Sequence, residues 1–231
     1  MIANATSRTQ SSDASNGIFR IVSLLGSMCI TIRVPERSSR LLEENLIEDS
    51  SDASSLRMWL RTIRQLESPP HLERIIERVA YWRARGGGLD AAFYLYVLHT
   101  LLAMEGSQQA RADADRAQEE CKAIAKYRRD RTLSFEWLGP GAGVTQLVHQ
   151  SELGAWGDTF WEGKDRLRRV SGRVAFIDAP QRGTIELPGA VNAFFVPAIA
   201  GLMRGRDENR QVMCNVGFSY DGVRAWEVGP A

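Results

Sequence analysis

Apolar and polar positions alternate from Ile18 to Val34. Ile18, Arg20, Val22 and Leu24 fall to one side and Phe19, Ile21 and Ser23 to the other. Gly26-Ser27 supplies a turn, and Met28, Ile30, Ile32 and Val34 give the return strand an apolar face. The pattern predicts a β-hairpin that ends at Pro35. Before it, residues 1–17 are rich in Ser, Thr, Asn and Asp and read as a polar arm. After it comes a polar connection, in which Leu41, Leu42, Leu46 and Ile47 suggest a short helix.

The period then changes to that of a helix. Leu56, Trp59, Leu60, Ile63 and Leu66 recur at helical spacing behind a Ser-rich N-cap. Pro69-Pro70 breaks this helix, and Leu72, Ile75, Ile76, Val79 and Trp82 form the stripe of the next. Gly86-Gly87-Gly88 stops it, as glycine past a helix C-terminus does. Asp90 caps a third helix, Ala91 to Met104, apolar on nearly every side and so suited to the centre of a bundle or an interface. A fourth, Ser107 to Arg129, carries a narrow stripe of small residues, Ala110, Ala114, Ala117 and Cys121, followed by Ile124. Such a stripe lets a neighbouring helix approach closely, and an Ala-rich helix lying on its own domain is the plainer reading.

Beyond Thr132 the chain turns to strands. Gly139 to Gly143 is a loop and Val144 to Leu153 a short helix. Val174–Ile177, Thr184–Leu187, Val191–Val196, Gln211–Phe218 and Val223–Val228 read as strands, the last two joined by a turn at Tyr220-Asp221-Gly222. Pro197 to Met203 reads as a short apolar helix between strands. The expected class is α+β: an N-terminal β-hairpin, a central bundle of about four helices and a C-terminal antiparallel β region. The hairpin joining the C-terminal strands would make residues 18–231 one domain; a subdomain boundary near residue 133 is the alternative.

Composition changes this picture in one respect. Of 29 basic residues only Lys122, Lys126 and Lys164 are lysine. Arginine grips carboxylates and phosphates with a planar fork and stacks on aromatic rings. With a formal net charge of +1, arginine-rich does not mean basic, which weighs against nucleic-acid binding by the whole surface. Cys29, Cys121 and Cys214 are odd in number and far apart, so neither a disulfide framework nor a zinc spacing follows. No apolar run is long enough to span a bilayer. The expected setting is soluble and cytoplasmic, or a virion if the protein is viral.

Candidate chemistry is sparse. The histidines are His71, His99 and His149, and only His149 has Ser151 and Glu152 beside it, the raw material of a hydrolase site. Glu152, Asp158, Glu162 and Asp165 offer carboxylates without a defining spacing. Gly139 to Gly143 lacks the Lys-Ser/Thr ending of a phosphate loop. The sharpest local features are two basic clusters. Lys126, Arg128, Arg129 and Arg131 surround Tyr127. Lys164, Arg166, Arg168, Arg169 and Arg173 follow Trp156 and Trp161. Cations beside aromatics suit either a protein interface or a nucleic acid. The leading expectation is a non-catalytic structural or assembly subunit whose partners are other protein subunits, as in a viral capsid or a capsid-decorating protein. RNA or nucleotide binding by residues 164–173 is the first alternative, and a hydrolase built on His149 the second. No cofactor, metal or membrane partner is expected.

Overall fold

The computed structural model describes residues 34–154 and 163–231. The expected hairpin at 18–34 and arm at 1–17 lie outside the described residues, apart from Val34 itself. So do Cys29, Trp156, Asp158, Trp161 and Glu162.

Five helices come first: α1 (Val34–Glu48), α2 (Ala53–Ile63), α3 (Leu72–Ala84), α4 (Leu89–Met104) and α5 (Gln108–Ile124). The stretch read as a polar connection is thus largely a helix. Its Leu, Glu and Arg residues are good helix formers, and Pro35 sits in the first turn, where a missing N–H costs nothing. Trp59 of α2 donates to Glu43 of α1 at 3.2 Å, which pins the two together. The Asp52 side chain accepts from the Ser54 and Ser55 N–H groups and caps α2.

Helix α4 is the hub. Apolar on all sides, it is covered by α3, α5, part of α2 and the β region. The small stripe of α5 (Ala110, Ala114, Ala117, Cys121) is buried and lies along α4, whereas Ile124 ends outside it. The stripe therefore serves the protein's own core. Trp59 and Trp82 meet edge to face with centroids 4.8 Å apart in the same core.

The second half is a β structure. Its strands are β1 (Ser134–Leu138), β2 (Leu147–His149), β3 (Arg169–Ala179), β4 (Arg182–Leu187), β5 (Val191–Phe195), β6 (Gln211–Ser219) and β7 (Gly222–Pro230). Two single-turn helices interrupt them, α6 (Gln150–Leu153) and α7 (Pro197–Ala200). The sheet order is β2-β1-β6-β3-β4-β5-β7, with a further β6–β7 pairing. That pairing closes β3, β4, β5, β7 and β6 into a five-stranded barrel. β6 shares one edge between β3 and β1, so β1 and β2 extend the sheet beyond the barrel.

This corrects the expected antiparallel region. β5 runs parallel to β7, and the barrel is mixed. The one-turn α7 and the link to Gln211 carry the chain across, so that β6 and β7 return with β7 aligned to β5. The expected helix at 144–153 is instead a 3-10 turn at Gly143–Gln146, strand β2 and the single turn of α6.

Alternation sets the barrel's inside. Val170, Val174, Ile177, Ile185, Leu187, Ala193, Phe195, Val212, Cys214 and Val216 are buried, and their neighbours face outward. A Cβ on Gly183 would strike the Phe195 ring, which leaves room for no side chain there. Tyr220, in the β6–β7 turn, packs on Phe93 of α4 at 5.1 Å, and Phe218 on Tyr96 at 6.2 Å. Helices and barrel thus share one aromatic seam and one core. None of the described helices is long and apolar enough to cross a membrane.

Candidate functional site

Three places bring polar or exposed apolar chemistry together. The first is a buried ionic cluster between helices and sheet. Helix α2 presents Arg61 and Arg64 on one side, three residues apart. β1 presents Glu136, whose side chain is fully buried between aromatic neighbours. Arg64 lies 3.0 Å from Glu136, and the Tyr94 hydroxyl donates to the other carboxylate oxygen at 2.8 Å. Burial and the Glu136 charge push the Tyr94 phenol well above its ordinary value, so it stays a donor.

His149 stands at the edge of this cluster. Its Nδ1 accepts from the Ser151 N–H at 3.1 Å and faces the Ser151 hydroxyl at 2.9 Å and Arg61 at 2.5 Å. Glu152 accepts the His149 N–H at 3.1 Å, which completes a capping box on α6. Burial, then the Arg61 and Arg64 guanidiniums, hold the imidazole below its ordinary value against the pull of Glu136 and Glu152. The Ser–His contact that a hydrolase needs is therefore present in distance. To act as a base, however, Nδ1 would have to take a proton against Arg61. The arrangement caps a helix and ties α2 to β2.

The basic clusters form the second place. In the first, Arg128 pairs with Asp130 through two contacts of 2.8 and 2.6 Å and lies over the Tyr220 ring. Lys126 lies over Tyr127, Arg131 donates to the Lys126 carbonyl, and Arg129 has no partner among the described residues. In the second, Lys164 meets Glu227 at 3.5 Å, and Arg173 meets Glu186 and Asn209. Among the described residues, Arg166, Arg168 and Arg169 have only neutral acceptors: the Glu152 carbonyl, Gln146, and the Met213 and Glu227 carbonyls. Arg168 and Arg169 line a cleft of about 420 Å³ against the C-terminal end of α4. Next to it the Gly143 N–H, the group that would greet an anion at the glycine loop, donates to Glu105, which lines the cleft. The sequence cluster is thus spread around the junction instead of gathered into one patch.

The third place is the outside of the barrel. Register aligns Phe176 with Thr184, Thr184 with Phe194, and Phe194 with Arg224. These four lie in one row across β3, β4, β5 and β7, on the outward side. Arg224 covers the Phe194 ring at 4.9 Å. Phe176 is half exposed, and beyond the row Ile199 of α7 is 86% exposed and Met203 58%. None of these apolar residues stood out in the sequence. What marks Ile199 is an aliphatic residue just after a helix-starting proline, in a turn too short to bury it. Glu136 carries a clearer sign, a carboxylate set between Phe135, Trp137 and Leu138 in a strand, where it needs a cation from elsewhere.

Compared with known proteins, the chain matches no family model, no curated protein and no solved structure.

Proposed function

We propose that the protein is a non-catalytic assembly subunit that docks a protein partner on the outer face of its barrel. One observation carries this reading. Phe176, Ile199 and Met203 stand exposed around the barrel, whereas most charges near them are already paired with each other. Asp178 with Arg182, Glu186 with Arg173 and Asp207 with Arg206 leave a surface of little net charge around apolar anchors. Exposed apolar side chains set among charges that neutralise one another suit a protein interface.

The test is the light-scattering mass of the natively isolated protein, before and after nuclease, for the wild type and an Ile199→Asp, Phe176→Ser variant. A nuclease-resistant complex that falls to the single-chain mass in the variant is expected. A monomeric wild type, or a variant of unchanged mass, would sink the reading.

A second reading has its own observation. Among the described residues Arg166, Arg168 and Arg169 have no carboxylate partner, and the last two line the cleft beside α4. The barrel's connectivity, first strand between second and fourth and third parallel to fifth, is also that of OB-type barrels, which bind oligonucleotides. That likeness is one of fold and not of site. If these arginines hold phosphates, oligouridylate binds in a salt-dependent way, and changing all three to alanine flattens the log–log salt slope by about two. Affinity that ignores salt would exclude it.

A further inference from the structure

The barrel closes between β5 and β7 through a single register pair, Phe194 with Arg224. Beyond it β5 stops and turns into α7, while β7 runs on to Pro230. On its other edge β7 is paired with β6. On this edge, past Arg224, no strand pairs with it among the described residues. A strand edge without a neighbour offers a row of N–H and C=O groups to an incoming chain. Between that edge and α7 lies a groove of about 120 Å³, walled by Phe194, Val196, Ile199, Trp226 and Val228 and floored at one end by Arg224.

Two features say what the groove fits. A chain laid along β7 towards Arg224 meets β5 there and can go no further, so the slot is closed at that end. At the closed end sits Arg224, which covers the Phe194 ring and, among the described residues, makes one ion pair, with Asp221 at 3.8 Å, too long for a hydrogen bond. Its side chain is 17% exposed, and an incoming carboxylate there gains the charged hydrogen bonds that this pair lacks. A chain that must end where a carboxylate is wanted is a C-terminus.

We propose that this groove captures the C-terminus of a partner protein. The terminal carboxylate meets Arg224, the last side chain, apolar, fills the groove against Ile199 and Phe194, and the preceding residues run antiparallel to β7. The stretch from Trp226 to Pro230 accommodates a short peptide of fewer than five paired residues, because the bulge at Glu227 interrupts the edge and Pro230 has no N–H. Backbone pairing supplies affinity and the pocket supplies specificity, as in other strand-addition sites. The inference rests on the docking reading and names its ligand.

The experiment uses the full chain and fluorescein-labelled pentapeptide pools. Each pool fixes the last residue as Val, Leu, Ile or Phe, randomises the other four, and is made as free acid and as amide. In fluorescence polarisation at least one free-acid pool is expected to bind, with its amide weaker by roughly tenfold or more. Arg224→Gln and Ile199→Asp are each expected to weaken it to a similar degree. Arg224 is largely buried, so its variant is read only with an unchanged melting temperature. Ile199→Asp alters an exposed side chain and keeps the test decisive if the other misfolds. No binding by any acid pool, equal binding of acid and amide, or preference for oligouridylate over every pool would overturn the proposal. If the pools fail while Ile199→Asp, Phe176→Ser still dissolves the native complex, only the C-terminal ligand is wrong. If that complex also survives, the docking reading falls with it.

Discussion

Arg64 of α2 and Glu136 of β1 lie 3.0 Å apart with side chains 8% and 0% exposed. They are the ionic bond between the helical half and the sheet. Neither half holds both charges, so each charge is buried and matched only where the two halves meet. Tyr94 of α4 completes the set by donating to the same carboxylate. The pair thereby fixes how α2, α4 and β1 meet, and with them the position of β6 and the barrel behind β1.

Removing one partner is therefore expected to be severe. Arg64→Met leaves Glu136 buried without its cation and should cost about 3–5 kcal/mol. Replacing both, with Arg64→Met and Glu136→Leu, removes the charge and the desolvation penalty together. The double variant should recover most of the loss. Urea unfolding of the three variants checks this, and a double variant no better than the single would show that the pair itself supplies net stability.

His149 gives stability a pH dependence whose sign is fixed by its environment. Its folded-state value lies below the ordinary one because burial and the two arginines disfavour the imidazolium. The unfolded chain, with an ordinary value of about 6.5, then binds the proton more readily. The contribution is fully present above that value and is lost as pH falls from it towards the folded value. His99, lowered by burial, acts in the same direction. The urea midpoint should fall between pH 7.5 and pH 5.5, and less so in His149→Asn. A variant with the same slope as the wild type would place the proton uptake elsewhere.

How much of this could be read from the chain differs by element. Helix α4 was plain because it is apolar on every side, and β3 to β7 because their residues alternate. Strand β1 was not, since Glu136 interrupts its apolar run. Its burial is made tolerable by Arg64 and Tyr94, which lie 72 and 42 residues away in sequence. Such compensation has no local trace. The parallel β5–β7 pairing was equally hidden, because direction is set by how the 197–210 connection crosses the barrel and not by either strand. The surroundings of the basic clusters were hidden for a related reason. Adjacency in sequence says nothing of acceptors, and the turn at 163–166 and the alternation of β3 send Lys164, Arg166, Arg168 and Arg173 to different ones.

Gly189 marks a close approach between barrel and helices. In the β4–β5 turn it adopts φ +69°, and a Cβ there would run into the Ala103 carbonyl at the end of α4. Both the left-handed backbone and the contact with main-chain atoms oppose a side chain, and neither neighbour can rotate away. Gly189→Ala should destabilise the protein by more than about 1 kcal/mol. Gly201→Ala is the control, since its φ is +66° but nothing lies near its missing Cβ. The difference between their melting temperatures isolates the steric part; equal shifts would mean that backbone strain alone decides.

Glu227 poses the opposite case, a left-handed residue that is not glycine. It has φ +47° at a bulge where β7 gains a residue on β6, between the pairs Met213–Gly229 and Asn215–Trp226. A non-glycine residue in this region costs about 1–2 kcal/mol. What offsets the strain is the side chain: Glu227 accepts from the buried Asn215 amide at 2.9 Å and meets Lys164 at 3.5 Å, while its carbonyl accepts from Arg169 at 2.9 Å. Glu227→Ala keeps the strain, loses both carboxylate contacts and leaves the Asn215 amide without its acceptor. Glu227→Gly loses the same contacts and relieves the strain. The alanine variant should therefore be less stable than the glycine variant by about 1 kcal/mol, an inversion of the usual order at a strand position. Thermal unfolding of the two side by side measures it. Alanine equal to or better than glycine would mean that the backbone relaxes once the carboxylate is gone, and that the bulge is held by Glu227 instead of merely tolerated by it.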